Sequence, residues 1–265
     1  MRVAVISAYY KEPRHILRRC HESVLAQSGD VTHFMVADGF PDAEVDSWEG
    51  VVHIKIPNHA DYGDTPRGVG AACASASGFD AICFLDADNW YEPNHIETMR
   101  MTVEKTGVQV VTMARTLITA DGRVLGTCTE SNGVNFNDTN CFFLTRAAFP
   151  ACAAWLFKDA SQSAVGDRIF WKAVQSGGYT RTHLSTPTVN YVSSHAFHYE
   201  MFGEIPPDDS KVILLLANQQ AQMLSYAQYN RWMMEKATAS DRARTGFVAA
   251  AGNASVAEDQ ENTSS

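Results

Sequence analysis

Five short apolar runs divide the first half of this chain: Val3 to Ala8, Phe34 to Ala37, Val51 to Ile56, Ala81 to Leu85 and Val108 to Met113. Each has the length and β-rich character of a strand buried on both faces. Helical stretches lie between them. Pro13 opens one, where its missing N–H costs nothing, and Ile16, Leu17, Cys20, Val24 and Leu25 give it an apolar stripe. Arg67 to Ser77 is rich in small residues and reads as a close-packed helix. Pro93 opens another, with Ile96, Met99 and Val103 on one face. Alternation of this kind predicts an α/β fold with a mostly parallel central sheet flanked by helices. Ligands in such sheets bind beyond the carboxyl ends of the strands. Tyr9, Asp38, Asp86 and Asp88 all fall at those ends.

The second half is less regular. Asn140 to Leu144 and Thr188 to Val192 read as strands, and Arg146 to Phe157 and Arg168 to Gln175 as helices, the latter stopped by Gly177-Gly178. Asp208-Asp209-Ser210 follows Pro206-Pro207 and is read as the cap of a long C-terminal helix reaching about Lys236. That helix carries Val212, Ile213, Leu215, Leu216, Met223, Leu224, Tyr226, Tyr229 and Trp232 as an apolar stripe, read first as core packing. A homodimer contact through it is the second reading. The expected organisation is one catalytic domain over residues 1–237, with halves at 1–110 and 111–205 and the helix at 206–237. Residues 238–265, small, polar and acidic, are expected to form a disordered tail.

At 265 residues and a net charge of -9, the chain lacks the basic face of a nucleic-acid binder. An acidic protein can still take an anionic nucleotide when a divalent cation sits between them. No run approaches the ~20 apolar residues of a membrane helix, and no signal segment is legible after Arg2. The six cysteines show no zinc spacing and are expected to be free thiols in a reducing cytoplasm. A peripheral place at a membrane is a weaker reading of the same features.

Asp86-Ala87-Asp88 follows a buried strand and precedes Asn89-Trp90-Tyr91-Glu92-Pro93. Two carboxylates at a strand end meet solvent, a cation or a ligand, since unpaired buried charge is too costly. Mg²⁺ and Mn²⁺ favour such oxygen ligands and bridge to phosphates. A solvated turn is the alternative.

Phe84 to Pro93 resembles the DxD segment of family 2 glycosyltransferases. Val3 to Tyr10 resembles their first strand, Arg19 to Gln27 their first helix, and Val36-Ala37-Asp38-Gly39 their V-D-D-G element, with Ala37 in place of the first aspartate. The resemblance implies a GT-A-type, Rossmann-like fold. It also implies a sugar moved from a nucleoside diphosphate sugar, UDP-sugar favoured, to a saccharide, glycolipid or other hydroxyl acceptor, in the manner of hexosyltransferases and polysaccharide biosynthesis. It places Ala8 and Tyr9 at the base and ribose, Asp38 on the nucleobase, and Asp64 and Arg67 in the donor loop. Asp86 would face ribose and metal, and Asp88 would bind Mn²⁺ or Mg²⁺ directly. Transfer in this family is generally inverting and needs a base. Gly166-Asp167 matches its acidic pair in part, so Asp167 is the implied base. A late histidine can add a metal ligand, and His195 is preferred to His198.

Simpler readings stand beside these. Tyr9 can cap the sheet, Asp38 can serve a turn, Arg67 a helix surface, Asp167 a helix N-cap, and the histidines can be packed or exposed. Asp138 and Asn140 precede a strand in the acceptor region. Trp90 is an acceptor-stacking candidate, although large aromatics are more often core. A nucleotidyltransferase is disfavoured, because no glycine lies in Ser7 to Glu12. A non-catalytic binding protein on the same scaffold is the third reading.

Overall fold

The structure, a computed structural model, describes residues 1–215 and 221–236. In chain order it contains β1 (Arg2–Tyr9), α1 (Arg14–Leu25), β2 (Asp30–Asp38), β3 (Val51–Ile56), α2 (Asp64–Ala76), β4 (Ala81–Phe84), β5 (Trp90–Tyr91) and α3 (His95–Thr106). There follow β6 (Val110–Ile118), β7 (Val124–Thr127), β8 (Phe142–Thr145), α4 (Ala154–Phe157), α5 (Gly166–Ser176), β9 (Arg181–Val192), α6 (Ala196–Glu200), β10 (Lys211–Leu215) and β11 (Ala221–Ser225).

The main sheet runs β3-β2-β1-β4-β8-β6-β9-β5, with β7 on β6. β3, β2, β1 and β4 form a parallel block, and β6 is parallel to β9. β8 lies antiparallel between β4 and β6. Both faces are covered. One core packs α2, α4 and α5 around Phe84, Phe142, Trp155 and Phe170, and the other packs α1 and α3 around Val5, Cys83, Leu85 and Phe143. Small residues in α2 have a steric reason. A Cβ on Gly70 would lie 2.5 Å from Ile6 Cγ2, so the helix can ride close on β1 only with glycine there.

Under the parallel block lies a buried polar chain. His21 Nε2 is 3.0 Å from the Glu49 carbonyl, and its Nδ1 is 2.9 Å from Nδ1 of His33, whose Nε2 is 2.8 Å from Ser7 Oγ. A carbonyl only accepts, so His21 carries its proton on Nε2 and accepts at Nδ1. His33 therefore donates from Nδ1 and accepts from the Ser7 hydroxyl. Both rings are neutral in this arrangement, and burial lowers both pKa values.

The strands and helices before residue 110 lie where the periodicity predicts them. Two later expectations are corrected. Arg146 to Ala153 is 3₁₀ rather than α-helical, with Pro150 inside it, and only Ala154–Phe157 is α-helical. The long C-terminal helix is absent. Lys211–Leu215 and Ala221–Ser225 instead form an antiparallel hairpin, and only 226–236 is helical. β-branched Val212 and Ile213 suit a strand, and the polar stretch from Ala217 to Gln222 interrupts the helical stripe. The hairpin is tied down where Lys211 N donates to the Ser194 carbonyl at 2.6 Å and Tyr226 N to the Ser210 carbonyl at 2.7 Å. The helical stripe invoked for a homodimer therefore does not exist as such. The expected tail, 238–265, lies outside the described residues, as does Leu216. All six cysteines are free thiols. Among the described residues no helix is long and apolar enough to cross a membrane.

Candidate active site

A cleft of about 1150 Å³ opens beyond the carboxyl ends of β1, β2 and β4. Of the candidate residues it gathers Ala8, Tyr9, Asp38, Asp64, Arg67, Asp86, Asp88, Asp138, Asp167 and His195 along its lining. Asn140 lies just beneath. Trp90 is not in the lining. It pairs with Asn190 across β5 and β9, and the Arg19 guanidinium covers its ring at 4.1 Å.

The antiparallel run of β8 against β4 explains how distant sequence positions meet. The residues entering β8 stand beside those leaving β4, so Asn140 reaches Asp86. Asn140 Oδ1 accepts from the Asp86 backbone N–H at 2.5 Å, and its Nδ2 donates to Asp86 Oδ2 at 2.9 Å and Asp138 Oδ1 at 2.7 Å. Arg67 Nη2 donates to Asp86 Oδ1 at 2.5 Å. Burial disfavours ionised Asp86, but Arg67 and Asn140 outweigh it and hold its carboxyl below the usual range. Both Asp86 oxygens are thus engaged by protein.

Asp88 differs. It stands open to the cleft but with protein close around it. That enclosure, with the charges of Asp86 and Glu12, raises its carboxyl to about 7. No ion pair neutralises it among the described residues.

Asp64 is not an open donor contact. It is 1% exposed, ion-paired to Lys158 and 3.6 Å from Arg67. Asp38 is equally committed, since Oδ1 accepts from His59 N at 2.7 Å and Oδ2 from Ala60 N at 3.2 Å. It shapes the loop that faces Ala8. Tyr9 is 3% exposed, with its hydroxyl 2.6 Å from His53 Nε2, so it is largely a packed residue at the cleft edge.

Asp167 lies in the first turn of α5, which opens at Gly166 after Val165 at the N-cap position. It is therefore not the N-cap. Its Oδ1 accepts from Arg168 N at 2.7 Å, and burial together with the nearby charge of Asp138 raises its pKa to about 6.

The family model described as "Glycosyl transferase family 2" matches residues 4–163, more than half of the chain. The chain belongs to glycosyl transferase family 2. The matched span holds Asp38, Asp86 and Asp88 and ends just before Asp167. Solved structures of S. aureus TarS resemble this family 2 chain in fold: full TarS at 14% identity and TM-score 0.59, and TarS 1-349 with UDP-GlcNAc at 15% and 0.59. TarS 1-349 with UDP gives 14% and 0.59. Each comparison covers 76% of this chain, but only 38%, 64% and 63% respectively of the TarS chains. No curated protein matches it by sequence.

Two residues in the cleft of the family 2 chain are of the types that ligate a divalent cation. Asp88 supplies an uncompensated carboxylate. His195 lines the same cleft and has a buried Nδ1 with no hydrogen-bond partner. Burial and the cations Lys211 and Arg115 lower its pKa to about 4, so the ring is neutral at pH 7 with a lone pair to offer. His198 is spent: its Nε2 accepts from Arg115 at 3.2 Å and its Nδ1 donates to Ser193 Oγ at 2.8 Å. Among the described residues no three His, Cys, Asp or Glu side chains converge. A cation here would accordingly draw its remaining ligands from a diphosphate and water.

Several residues around the cleft escape the sequence reading. Arg115 is 2% exposed, pairs with Asp138 at 2.5 Å, and lies 4.1 Å over the Tyr191 ring. An arginine inside an apolar strand is itself a signal of a buried partner. Lys158, which anchors Asp64, carries no pattern. Val212, Ile213, Met223 and Tyr229 enter the cleft lining from the hairpin and the following helical stretch, which a helical reading hides.

Proposed function

We propose that this chain transfers a sugar from a nucleoside diphosphate sugar, a UDP-sugar first among them, to a hydroxyl acceptor, with inversion and with Mn²⁺ or Mg²⁺. One observation carries the reading: a single cleft holds a free carboxylate at Asp88, an Arg67-neutralised carboxylate at Asp86, and the raised-pKa carboxylate of Asp167. Family membership and the UDP and UDP-GlcNAc complexes of TarS support the choice of donor.

In this mechanism the acceptor oxygen attacks the anomeric carbon while the bond to the donor's diphosphate oxygen breaks. The diphosphate leaves with the electron pair. Asp167 takes the acceptor proton as general base, a role suited to a pKa near working pH. Asp88 and His195 would hold the cation, which when bound neutralises charge on the departing diphosphate. Arg67, fixed by Asp86 and Asp64, adds a permanent positive charge to the same wall of the cleft. The saccharide or glycolipid nature of the acceptor and membership of hexosyltransferase chemistry belong to this proposal.

The deciding experiment is thermal melting with UDP, GDP, dTDP and CDP, with and without Mn²⁺. A ligand at 100 times its Kd adds about 2.7 kcal/mol. The expected result is a Mn²⁺-dependent rise with UDP that Asp88→Asn abolishes. A rise with no diphosphate, or one equal in Asp88→Asn, would overturn the assignment.

A further inference from the structure

Four of the residues lining the cleft are Lys or Arg, and three of them are already engaged. Arg67 is paired with Asp86 and Arg115 with Asp138, and the Arg168 guanidinium lies 4.9 Å over the Phe136 ring. Lys211 differs. It is exposed along the cleft, and no carboxylate forms an ion pair with it among the described residues.

Main-chain bonds alone set its place. Ser210 N donates to the Pro207 carbonyl at 3.0 Å and closes the turn that leads into β10. Lys211 N donates to the Ser194 carbonyl at 2.6 Å, and Lys211 bridges His195 as a parallel pair. The ladder of β10 with β11, from Lys211 on Ser225 to Leu215 on Ala221, holds the hairpin from the other side. The ammonium has no part in these bonds and is left to the cleft. Its charge reaches Asp88: burial, Asp86 and Glu12 raise that carboxyl, and Lys211 acts the other way.

The order of strands then gives the cleft a direction. Asp38 ends β2, Tyr9 ends β1, Asp86 and Asp88 follow β4, and His195 follows β9, on the far side of β8 and β6. A nucleoside seated over β2 and β1 would send its phosphates past Asp88 toward His195 and Lys211. Each phosphate of a nucleoside diphosphate sugar carries negative charge. Together with Asp88 they outweigh one divalent cation, and breaking the bond to the sugar adds to the excess. Arg67 cannot absorb it, because Asp86 and Asp64 already face that guanidinium.

We infer that the Lys211 ammonium binds the outer phosphate of the donor diphosphate, so that the C-terminal hairpin completes the donor site. This rests on the transferase reading above. A lysine suits the task as a compact charge on a flexible stem, able to follow the phosphate as the sugar departs.

The test titrates UDP and UMP calorimetrically into the full chain with Mn²⁺ present, for the native protein, Lys211→Met and Lys211→Arg. The hairpin is anchored by backbone, so both variants should keep the melting temperature of the unliganded protein. Lys211→Met is expected to weaken UDP by about tenfold, the worth of a hydrogen bond to a charged group. UMP lacks the outer phosphate and should weaken by less than about twofold, and Lys211→Arg should restore most of the UDP affinity. Mn²⁺ should still strengthen UDP binding in Lys211→Met, which separates this role from that of Asp88. UDP binding unmoved in Lys211→Met, an equal loss for UDP and UMP, or no rescue by arginine each overturns the inference while the transferase reading stands. Failure of the native protein to bind UDP removes both.

Discussion

A Cβ placed on Gly166 would stand 2.5 Å from Asp64 Oδ1 and 2.7 Å from Oδ2. The carboxylate from the start of α2 thus occupies the space that a side chain at the start of α5 would need. The missing first member of the acidic pair is explained by this contact. Lys158 and Arg67 hold Asp64 in place, so the carboxylate cannot step aside cheaply.

Gly166→Ala is therefore expected to destabilise the protein by about 1–3 kcal/mol, the usual range for overpacking. In an Asp64→Ala background the same change should cost less, with a coupling of about 0.5 kcal/mol or more. Urea titrations of the four proteins of this cycle measure it. Simple additivity would remove the contact from the explanation.

Asp88→Asn and Asp167→Asn should fail differently. The first is expected to lose Mn²⁺-dependent stabilisation by UDP together with transfer. The second should keep the UDP shift and lose about 10²–10⁴-fold in kcat, the worth of a general base. Melting curves and UDP-release assays on both variants separate the roles, and full activity of Asp167→Asn would remove it as the base.

The raised pKa of Asp167, about 6, gives a pH signature. A general base works ionised, so with Mn²⁺ saturating Asp88, kcat should fall about tenfold per pH unit below 6 and level off above it. Stability has the opposite sign. A carboxyl held above its unfolded value binds more protons folded, so its contribution declines as pH rises from about 4 to 6 and stays lost above. The chain should thus trade a little stability for a competent base. A pH–rate profile between 5 and 8 checks the first limb, and Asp167→Asn should remove the stability term.

The His21–His33 chain has the reverse dependence. Each ring can give only one proton to the series, and a further proton would set two donors against each other. Both folded pKa values lie below the unfolded value, so the unfolded state takes up protons first. Stability should be full above about pH 7 and fall as pH drops through 6.5. Each buried imidazole adds up to about 1.4 kcal/mol per pH unit. Denaturant midpoints from pH 7.5 to 5 measure the slope, and His33→Gln should flatten it.

The parallel block and the DxD turn were legible because strand periodicity and turn chemistry are local properties. Val51 to Ile56 needs only its own β-rich run, and Asp86 and Asp88 announce themselves by following Ala81 to Phe84. Roles that depend on a partner far along the chain were not legible. Asp38 looks free in sequence, but the backbone of His59 and Ala60 claims both its oxygens. Asp64 reads as a donor-loop residue until Lys158, 94 positions later, covers it. The hairpin at Lys211 is hidden in the sequence because Val212, Ile213 and Leu216 also satisfy a helical repeat, and tertiary contact with Ser194 decides between the two.

β8 is the strand that the second half of the chain lays against β4 of the first, and it brings Asn140 onto Asp86. The boundary near residue 110 that composition suggests is therefore not a place where the chain can be cut and rejoined. A chimera that takes residues 1–110 from this protein and the remainder from a relative would exchange the amide that holds the DxD turn, and with it the floor of the cleft. Recombination among such chains should survive only where the β4–β8–β6 seam is inherited whole. This offers one reason for the two halves of the chain to travel together.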